Sequence, residues 1–101
     1  MIIRIFRAQI HDGMNDEFRA LFENELLPII LDWDGCLGAS IGLPMESSPS
    51  EFMMTSLWES LDTLKTFAGE NWLNPVIDPK EKHLIKEATV HHYVMSQETG
   101  G

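Results

Sequence analysis

Two adjacent histidines near the C-terminus, His91 and His92, are the residues best suited to proton transfer. An imidazole titrates near neutral pH, so it could take a proton from an acidic phenol or anthrone and leave an electron-rich anion that reacts with oxygen directly. Neighbouring residues of a strand point to opposite faces, so at most one of the two can serve a given site. The alternative is a hydrogen-bonded structural histidine, the commoner case where no partner is evident.

Two arginines near the N-terminus, Arg4 and Arg7, could offer a positive charge to an anion. They lie three residues apart on a predicted strand and so point to opposite faces, which brings one guanidinium into a largely buried setting. A buried unpaired charge costs several kcal/mol, about 3 or more, so this arginine needs a carboxylate partner or an anionic ligand. It could stabilise a phenolate or peroxide anion, or pair with a glutamate such as Glu59. A planar guanidinium suits both roles.

Aromatic side chains could form the walls of a site for a flat ligand. Trp58, Phe67 and Trp72 cluster around the second predicted helix. Core packing is the favoured role for Trp58 and Phe67, whereas Trp72 follows the helix on an irregular segment and is better placed to cover a pocket. Tyr93 could hydrogen-bond a ligand oxygen, or it could form part of a dimer interface.

Other kinds of site find little support. The four histidines form no ligand pattern with carboxylates, and a single cysteine cannot build a thiolate site, so we expect no metal. Gly35, Gly38 and Gly42 are spread over a turn and a strand, which disfavours a phosphate-binding loop and a nucleotide cofactor. We therefore expect a site without a cofactor.

The charge balance excludes further classes of partner. Seven Lys and Arg against sixteen Asp and Glu give a net charge of −9 on 101 residues, whereas nucleic acids and anionic membranes require clustered basic residues. No apolar run has the length needed to cross a membrane, and the lone Cys36 fits a reducing compartment. We expect a cytoplasmic protein that binds a small molecule, with neither a nucleic-acid nor a membrane partner.

The elements that must position these residues follow from periodicity and capping. The first helix begins at Asn15, and Pro28 predicts a kink or an end near Leu27 because it removes a backbone donor. The second helix has Ser60 as its N-cap and Gly69 as its C-terminal stop. Alternation and β-branched residues predict strands over residues 2–10, 36–43, 52–58 and 89–95.

A short third helix is predicted from the run Asp78-Pro79-Lys80-Glu81, which has a capping Asp and a Pro at the first helical position. The resulting order is typical of a ferredoxin-like βαββαβ α+β fold, an antiparallel sheet with its helices on one face. We expect one domain over residues 1–96 and a flexible tail over residues 97–101.

Strand one is apolar on both faces, because Ile3 and Ile5 oppose Phe6 and Ala8, and strand three shares this property. The helices cover only one face of such a sheet, so something must cover the other. A second copy of the chain, sheet against sheet, is the simplest cover, and we expect a homodimer.

Short motifs spread over residues 2–95 resemble the antibiotic biosynthesis monooxygenase-like family. They are Arg4-Ile5-Phe6-Arg7, Leu27-Pro28, Asp34-Gly35, Ser56-Leu57-Trp58-Glu59-Ser60, Phe67-Ala68-Gly69-Glu70 and His92-Tyr93-Val94. The resemblance implies a dimeric α+β barrel with a pocket between each subunit's sheet and its helices. It also places Phe6 toward the helices, and because Arg4 shares that face, Arg4 is the candidate anion stabiliser.

Characterised members of the family that this chain resembles oxidise phenolic or quinol-type compounds with molecular oxygen and without metal or flavin. The resemblance thus implies a cofactor-independent monooxygenase acting on a small aromatic, quinol or polyketide-like substrate. Its catalytic residues would be His92 and Arg4, and its substrate-binding residues Phe6, Trp58, Phe67, Trp72 and Tyr93. The alternative is a non-catalytic small-molecule binder or structural dimer of this fold, since a fold alone does not fix a function.

A related branch of the family opens haem, and the sequence disfavours that activity here. That branch uses an Asn on strand one and a Trp nine residues beyond the strand-three Trp. Counting from Trp58 gives Phe67, and strand one contains no Asn.

Overall fold

The computed structural model describes residues 1–96 and contains a four-stranded antiparallel sheet in the order β2-β3-β1-β4. The strands are β1 (Ile2–Ile10), β2 (Cys36–Gly42), β3 (Glu51–Trp58) and β4 (Ile85–Val94). The helices are α1 (Asn15–Leu21), α2 (Leu27–Leu31) and α3 (Leu61–Ala68). The predicted ferredoxin-like α+β fold is confirmed. The predicted tail, residues 97–101, lies outside the described residues.

The first helical segment continues past Pro28 instead of ending near Leu27. A π-helical turn, Phe22–Leu26, joins α1 to α2, and α2 runs to Leu31. Pro28 lies in the first turn of α2, where the absence of a backbone N–H costs the fewest helical hydrogen bonds. The π turn immediately before it is wider than an α-helical turn and accommodates the proline ring. The predicted irregularity is therefore a local widening of the helix, and the helix continues after it through Ile29 and Ile30.

The segment before β4 and the start of β4 differ from the sequence predictions. Strand β4 begins at Ile85, not at Thr89, and the run 78–81 forms a turn closed by the Glu81 N–H donating to the Asp78 carbonyl at 3.0 Å. The only helical residues of this region are a 3₁₀ turn, Lys82–Leu84. The four residues 78–81 are thus a tight connection into the sheet and not a helix.

Strand β2 breaks the strict alternation that its sequence predicts. Cys36 pairs with Trp58 and Gly38 pairs with Leu57, so Leu37 is an extra residue in a β-bulge and is 52% exposed. Beyond the bulge, Ala39 and the rest of the strand pair regularly with β3.

Phenylalanine side chains from α1 and the π turn anchor the helices to the sheet. Phe18 is fully buried and lies 4.9 Å from both Phe22 and Phe52, measured between ring centroids. At the other end of the sheet, Phe67 of α3 stacks on the fully buried Trp58 at 4.9 Å. These two aromatic contacts hold the helical layer at both ends and leave space between them.

Helix α3 has the boundaries and caps that its sequence predicts. The Ser60 hydroxyl accepts from the Thr63 N–H, and the Thr63 hydroxyl accepts in turn from the Ser60 N–H. Gly69 ends the helix at φ +81°, in the region that favours glycine. After Gly69, residues 71–81 form neither helix nor strand and pass over the sheet; we call them the covering segment.

Candidate active site

The strand register brings three polar side chains to the helix-covered face of the sheet. Arg4 of β1 pairs with Ser56 of β3 on one side and with His92 of β4 on the other. Directly paired residues of an antiparallel sheet share a face, so all three point toward the helices. His91 points to the opposite face and is exposed.

Arg4 is the central cation of this group and is only 4% exposed. Its Nη1 donates to the Trp72 carbonyl at 2.7 Å and to His92 Nε2 at 2.8 Å, and its Nη2 donates to the Asn74 carbonyl at 3.2 Å. Neither Glu59 nor any other described carboxylate forms an ion pair with it. Burial lowers the pKa of Arg4 to about 10, so the guanidinium is charged at neutral pH.

His92 is an acceptor in this network. Because its Nε2 receives an N–H from Arg4, the ring proton of the neutral imidazole lies on Nδ1. Burial lowers the pKa of His92, and the positive charges of Arg4 and of His91 lower it further. The side chain is neutral at pH 7, and the lone pair on its Nε2 already accepts the N–H of Arg4.

A cavity of about 320 Å³ lies between the sheet and the helical layer. The sheet supplies Arg4, Phe6, Met54 and Ser56, and the helices supply Phe22, Leu26, Ile29, Ile30 and Phe67. The covering segment completes the wall with Val76, Ile77, Asp78, Pro79 and Glu81. An apolar cavity of this size with a few polar groups is typical of a small-molecule site.

Glu81 is the functional candidate that the sequence analysis missed. It is 2% exposed and lines the cavity; its Oε1 accepts from the Asp78 N–H at 3.0 Å, while its Oε2 has no partner among the described residues. Burial raises the pKa of Glu81 from 4.5 to about 7; the Asp78 N–H opposes this effect and the Asp78 charge adds to it. A carboxyl with this pKa can accept or release a proton near neutral pH.

The family of the chain is shown by its match to a protein-family model. The family model for antibiotic biosynthesis monooxygenases matches residues 1–71. The chain belongs to the antibiotic biosynthesis monooxygenase family. No curated protein sequence matches the chain.

Solved structures with this fold include several members or relatives of the antibiotic biosynthesis monooxygenase family. A candidate antibiotic biosynthesis monooxygenase from Deinococcus radiodurans has a TM-score of 0.78 at 18% identity, covering 99% of this chain and 97% of that one. SnoaB, a cofactor-independent oxygenase from Streptomyces nogalater, has a TM-score of 0.73 at 15% identity, with 96% and 94% covered.

A third similar structure is that of the heme-degrader MhuD from Mycobacterium tuberculosis, solved with two hemes in its active site. Its TM-score is 0.75 at 14% identity, covering 99% of this chain and 100% of that one. At these identities the likenesses establish a common fold, and the chemistry has to be argued from the side chains of this family member itself.

Of the predicted aromatic site residues, Phe6 and Phe67 line the cavity. Trp58 lies beneath Phe67 and is fully buried, and its indole N–H donates to Ser56 Oγ at 2.9 Å. Trp58 thus orients a hydroxyl that does reach the cavity.

The other two predicted aromatic residues lie away from the cavity wall. Trp72 contacts Arg4 through its backbone carbonyl, and its ring lies edge-on to His92 at 4.9 Å. Tyr93 points to the open face of the sheet and is 51% exposed, so within one chain it does not reach the cavity.

Within residues 1–96, no group of three His, Cys, Asp or Glu side chains is arranged to hold a metal ion. Over the same residues, none of the helices has the length and apolar character needed to cross a membrane.

Proposed function

We propose that this protein is a cofactor-independent monooxygenase that oxidises a small aromatic, quinol or polyketide-like substrate with molecular oxygen. One observation carries the proposal: a buried carboxyl group whose pKa is about 7, Glu81, lines the same apolar cavity as Arg4, a buried guanidinium without a carboxylate partner. A base and an anion-stabilising cation in one mainly apolar cavity are what proton abstraction from an aromatic substrate requires.

The first step is removal of a proton from the substrate by Glu81. Its Oε2 is buried and has no hydrogen-bond partner among the described residues, so the carboxyl has to turn toward the cavity to meet a substrate O–H or activated C–H. Because Glu81 belongs to the covering segment, its carboxyl reaches a substrate in the cavity from the side opposite the sheet. Because the pKa of Glu81 is about 7, a useful fraction of the carboxylate exists at neutral pH and retains its basicity.

Arg4 stabilises the anion that results. A guanidinium has five N–H donors, and Trp72, His92 and Asn74 occupy three of those of Arg4. Two donors remain for a phenolate or enolate oxygen in the cavity. Since the cavity is lined mainly by apolar side chains, this charge–charge attraction is stronger than it would be in solution.

The electron-rich anion then reacts with oxygen. For a CH₂ group between two aromatic rings, one oxygen atom enters as a carbonyl and the other leaves as water, so no external reductant is needed. The description of the similar SnoaB structure as a cofactor-independent oxygenase supports this chemistry for the fold. Phe6 and Phe67 offer flat walls for the aromatic rings.

Glu81 replaces His92 as the proposed base, because His92 Nε2 already accepts from Arg4. Oxygen uptake with anthrones and reduced quinones tests the assignment. We expect Glu81→Gln to lower turnover by about 10²-fold or more, and Arg4→Met to lower it as well. Glu59→Gln, at an exposed carboxylate, is the matched control and should leave turnover unchanged.

Two outcomes of this experiment would contradict the proposal. Full turnover by Glu81→Gln, with loss in His92→Gln, would return the role of base to His92. No oxygen uptake with any compound of the panel would favour the non-catalytic binding role.

The second candidate is a haem-degrader-like role, which the similarity to MhuD favours. In this chain Phe67 lies nine residues beyond Trp58, and the Nε2 lone pair of His92 is not free to ligate iron. We expect no shift of the haem absorbance band on titration with the protein. A shift that saturates at a fixed stoichiometry would establish this second role.

We also propose that the protein is a homodimer, paired through the open face of its sheet, and that it acts in the cytoplasm. Ile3, Ile5 and Leu57 lie on that face, where no helix covers them, and Cys36 is a free thiol. Sedimentation should give a dimer, and Leu57→Glu should shift it toward monomer. A stable wild-type monomer at micromolar concentration would refute the dimer.

A further inference from the structure

We propose that His92 is a positioning residue that orients the guanidinium of Arg4 through a hydrogen bond to Nη1, so that the two remaining Arg4 donors stay available to the ligand. The proposal deepens the proposed function and rests on it for the identity of the ligand. It gives His92 a role that acts through Arg4 and not on the substrate itself.

The count of hydrogen bonds shows how completely Nη1 is fixed. This nitrogen carries two hydrogens, and both are used, one by the Trp72 carbonyl at 2.7 Å and one by His92 Nε2 at 2.8 Å. Two acceptors on one nitrogen determine the plane of the guanidinium. Nη2 gives one hydrogen to Asn74, which leaves its second hydrogen and the Nε hydrogen without a partner among the described residues.

Of the three acceptors, His92 is the one on a regular element. It lies on β4 directly opposite Arg4 in the ladder, whereas Trp72 and Asn74 belong to the covering segment, which has neither helix nor strand. The ring of Trp72 also lies against the ring of His92 at 4.9 Å. The strand therefore sets the position of Arg4, and the covering segment closes over it.

The choice of an imidazole at this position has an electrostatic reason. A carboxylate would also accept from Nη1, but it would neutralise the guanidinium and weaken its attraction for a ligand anion. A neutral histidine supplies an acceptor without a charge. The charges that act on His92 are cationic: Arg4 on β1, and His91 when protonated on the same strand. A further cation, Lys65 of α3, has its Nζ 5.6 Å from the Trp72 ring that lies against His92.

The first test needs no ligand and uses NMR of ¹⁵N-labelled imidazoles in the full chain. We expect His92 to carry its proton on Nδ1 at neutral pH and to titrate at a higher pH in Arg4→Met than in the wild type. His83, which contacts Glu17 on the surface, serves as the control within the same spectra and should not change. Protonation of His92 on Nε2, or an unchanged titration in Arg4→Met, would overturn the proposal.

The second test measures binding of lawsone, a hydroxynaphthoquinone that is anionic at neutral pH, by quenching of tryptophan fluorescence. His92→Leu should weaken binding by about tenfold, which corresponds to about 1.4 kcal/mol. His92→Gln, whose amide oxygen can accept from Nη1, should restore it. In the Arg4→Met background, His92→Leu should cause no additional loss.

The outcomes separate the two proposals. An equal loss from His92→Leu in both backgrounds would show direct contact between His92 and the ligand and would overturn the positioning role. If the wild type does not bind lawsone, the anion-binding cavity of the proposed function fails, while the NMR result still decides whether His92 positions Arg4. Thermal unfolding of each variant establishes that the variants are folded.

Discussion

At the residue scale, the feature that defines this site is a buried carboxyl group and a buried guanidinium that line one cavity without forming an ion pair. Arg4 is held by two carbonyls and one imidazole, and Glu81 is held by a single backbone N–H. Both groups are almost completely buried. Buried polar groups without full partners are costly to folding, so their presence in one cavity points to a ligand that completes them.

The raised pKa of Glu81 predicts a pH-dependent stability. The carboxyl stays protonated in the folded protein up to a pH of about 7, whereas in the unfolded chain it ionises near 4.5. The stabilisation present at low pH is therefore lost as the pH rises through this window. Glu81→Gln, which mimics the neutral carboxyl, should match the wild type near pH 4 and exceed it by roughly 2–3 kcal/mol near pH 8.

Urea unfolding at several pH values measures this difference. Glu59→Gln, which changes an exposed carboxylate, is the control and should follow the wild-type curve. Parallel curves for the wild type and Glu81→Gln would contradict the burial of an ionisable Glu81.

The sequence allowed half of this site to be predicted. Strand alternation predicted that one of Arg4 and Arg7 is buried, and the family resemblance, which places Phe6 toward the helices, favoured Arg4. In the structure Arg4 is buried and lines the cavity together with Phe6. Glu81 entered the sequence analysis only as the last residue of the run that predicts a third helix, because it lies in a segment without periodicity. Its burial depends on where the covering segment passes over the sheet, and no local pattern encodes that path.

At the element scale, the junction between β2 and α3 depends on a glycine. Gly35 has φ +86°, and a Cβ built there would lie 2.6 Å from Thr63 Cγ2. Gly35→Ala should therefore lower the free energy of unfolding by about 2 kcal/mol or more, through backbone strain and the clash with α3.

Gly38→Ala is the matched control, because a Cβ at Gly38 meets nothing within 4 Å. Thermal or urea unfolding of the two variants measures the difference. Equal stability of Gly35→Ala and Gly38→Ala would show that α3 does not pack against Gly35 as described.

The covering segment is fastened mainly by Arg4, which leads to a second prediction at this scale. Two of its carbonyls, those of Trp72 and Asn74, accept from the guanidinium. Arg4→Met should release them, so backbone amides of the covering segment should exchange roughly tenfold faster, a change of about 1.4 kcal/mol in local opening.

Hydrogen exchange followed by mass spectrometry tests this release. Arg7→Met, which removes an exposed arginine on the other face of β1, is the control and should leave exchange in the covering segment unchanged. Equal protection in both variants would contradict the fastening role of Arg4.

Elements with strong local signals were predicted closely, and those that depend on tertiary contacts were not. The N-cap at Ser60 and the glycine stop at Gly69 predicted α3, and the run of β-branched residues predicted β1. The continuation past Pro28 and the early start of β4 at Ile85 arise from packing against the sheet, which a one-dimensional pattern does not contain.

At the scale of the whole molecule, the two faces of the sheet have different surroundings. The helix-covered face carries the cavity with Arg4 and Glu81, and the open face carries partly buried apolar side chains such as Ile3 and Leu57. The proposed small-molecule site and the proposed dimer contact therefore lie on opposite faces of the sheet.

The central claim is that Glu81 ionises a substrate whose anion Arg4 stabilises, and mixing without oxygen tests it most directly. In anaerobic stopped-flow mixing with an anthrone such as dithranol, the wild type should produce the absorbance of the anthrone anion. Glu81→Gln should produce none, and Arg4→Met should produce less. Equal anion formation by the wild type and Glu81→Gln would contradict the account.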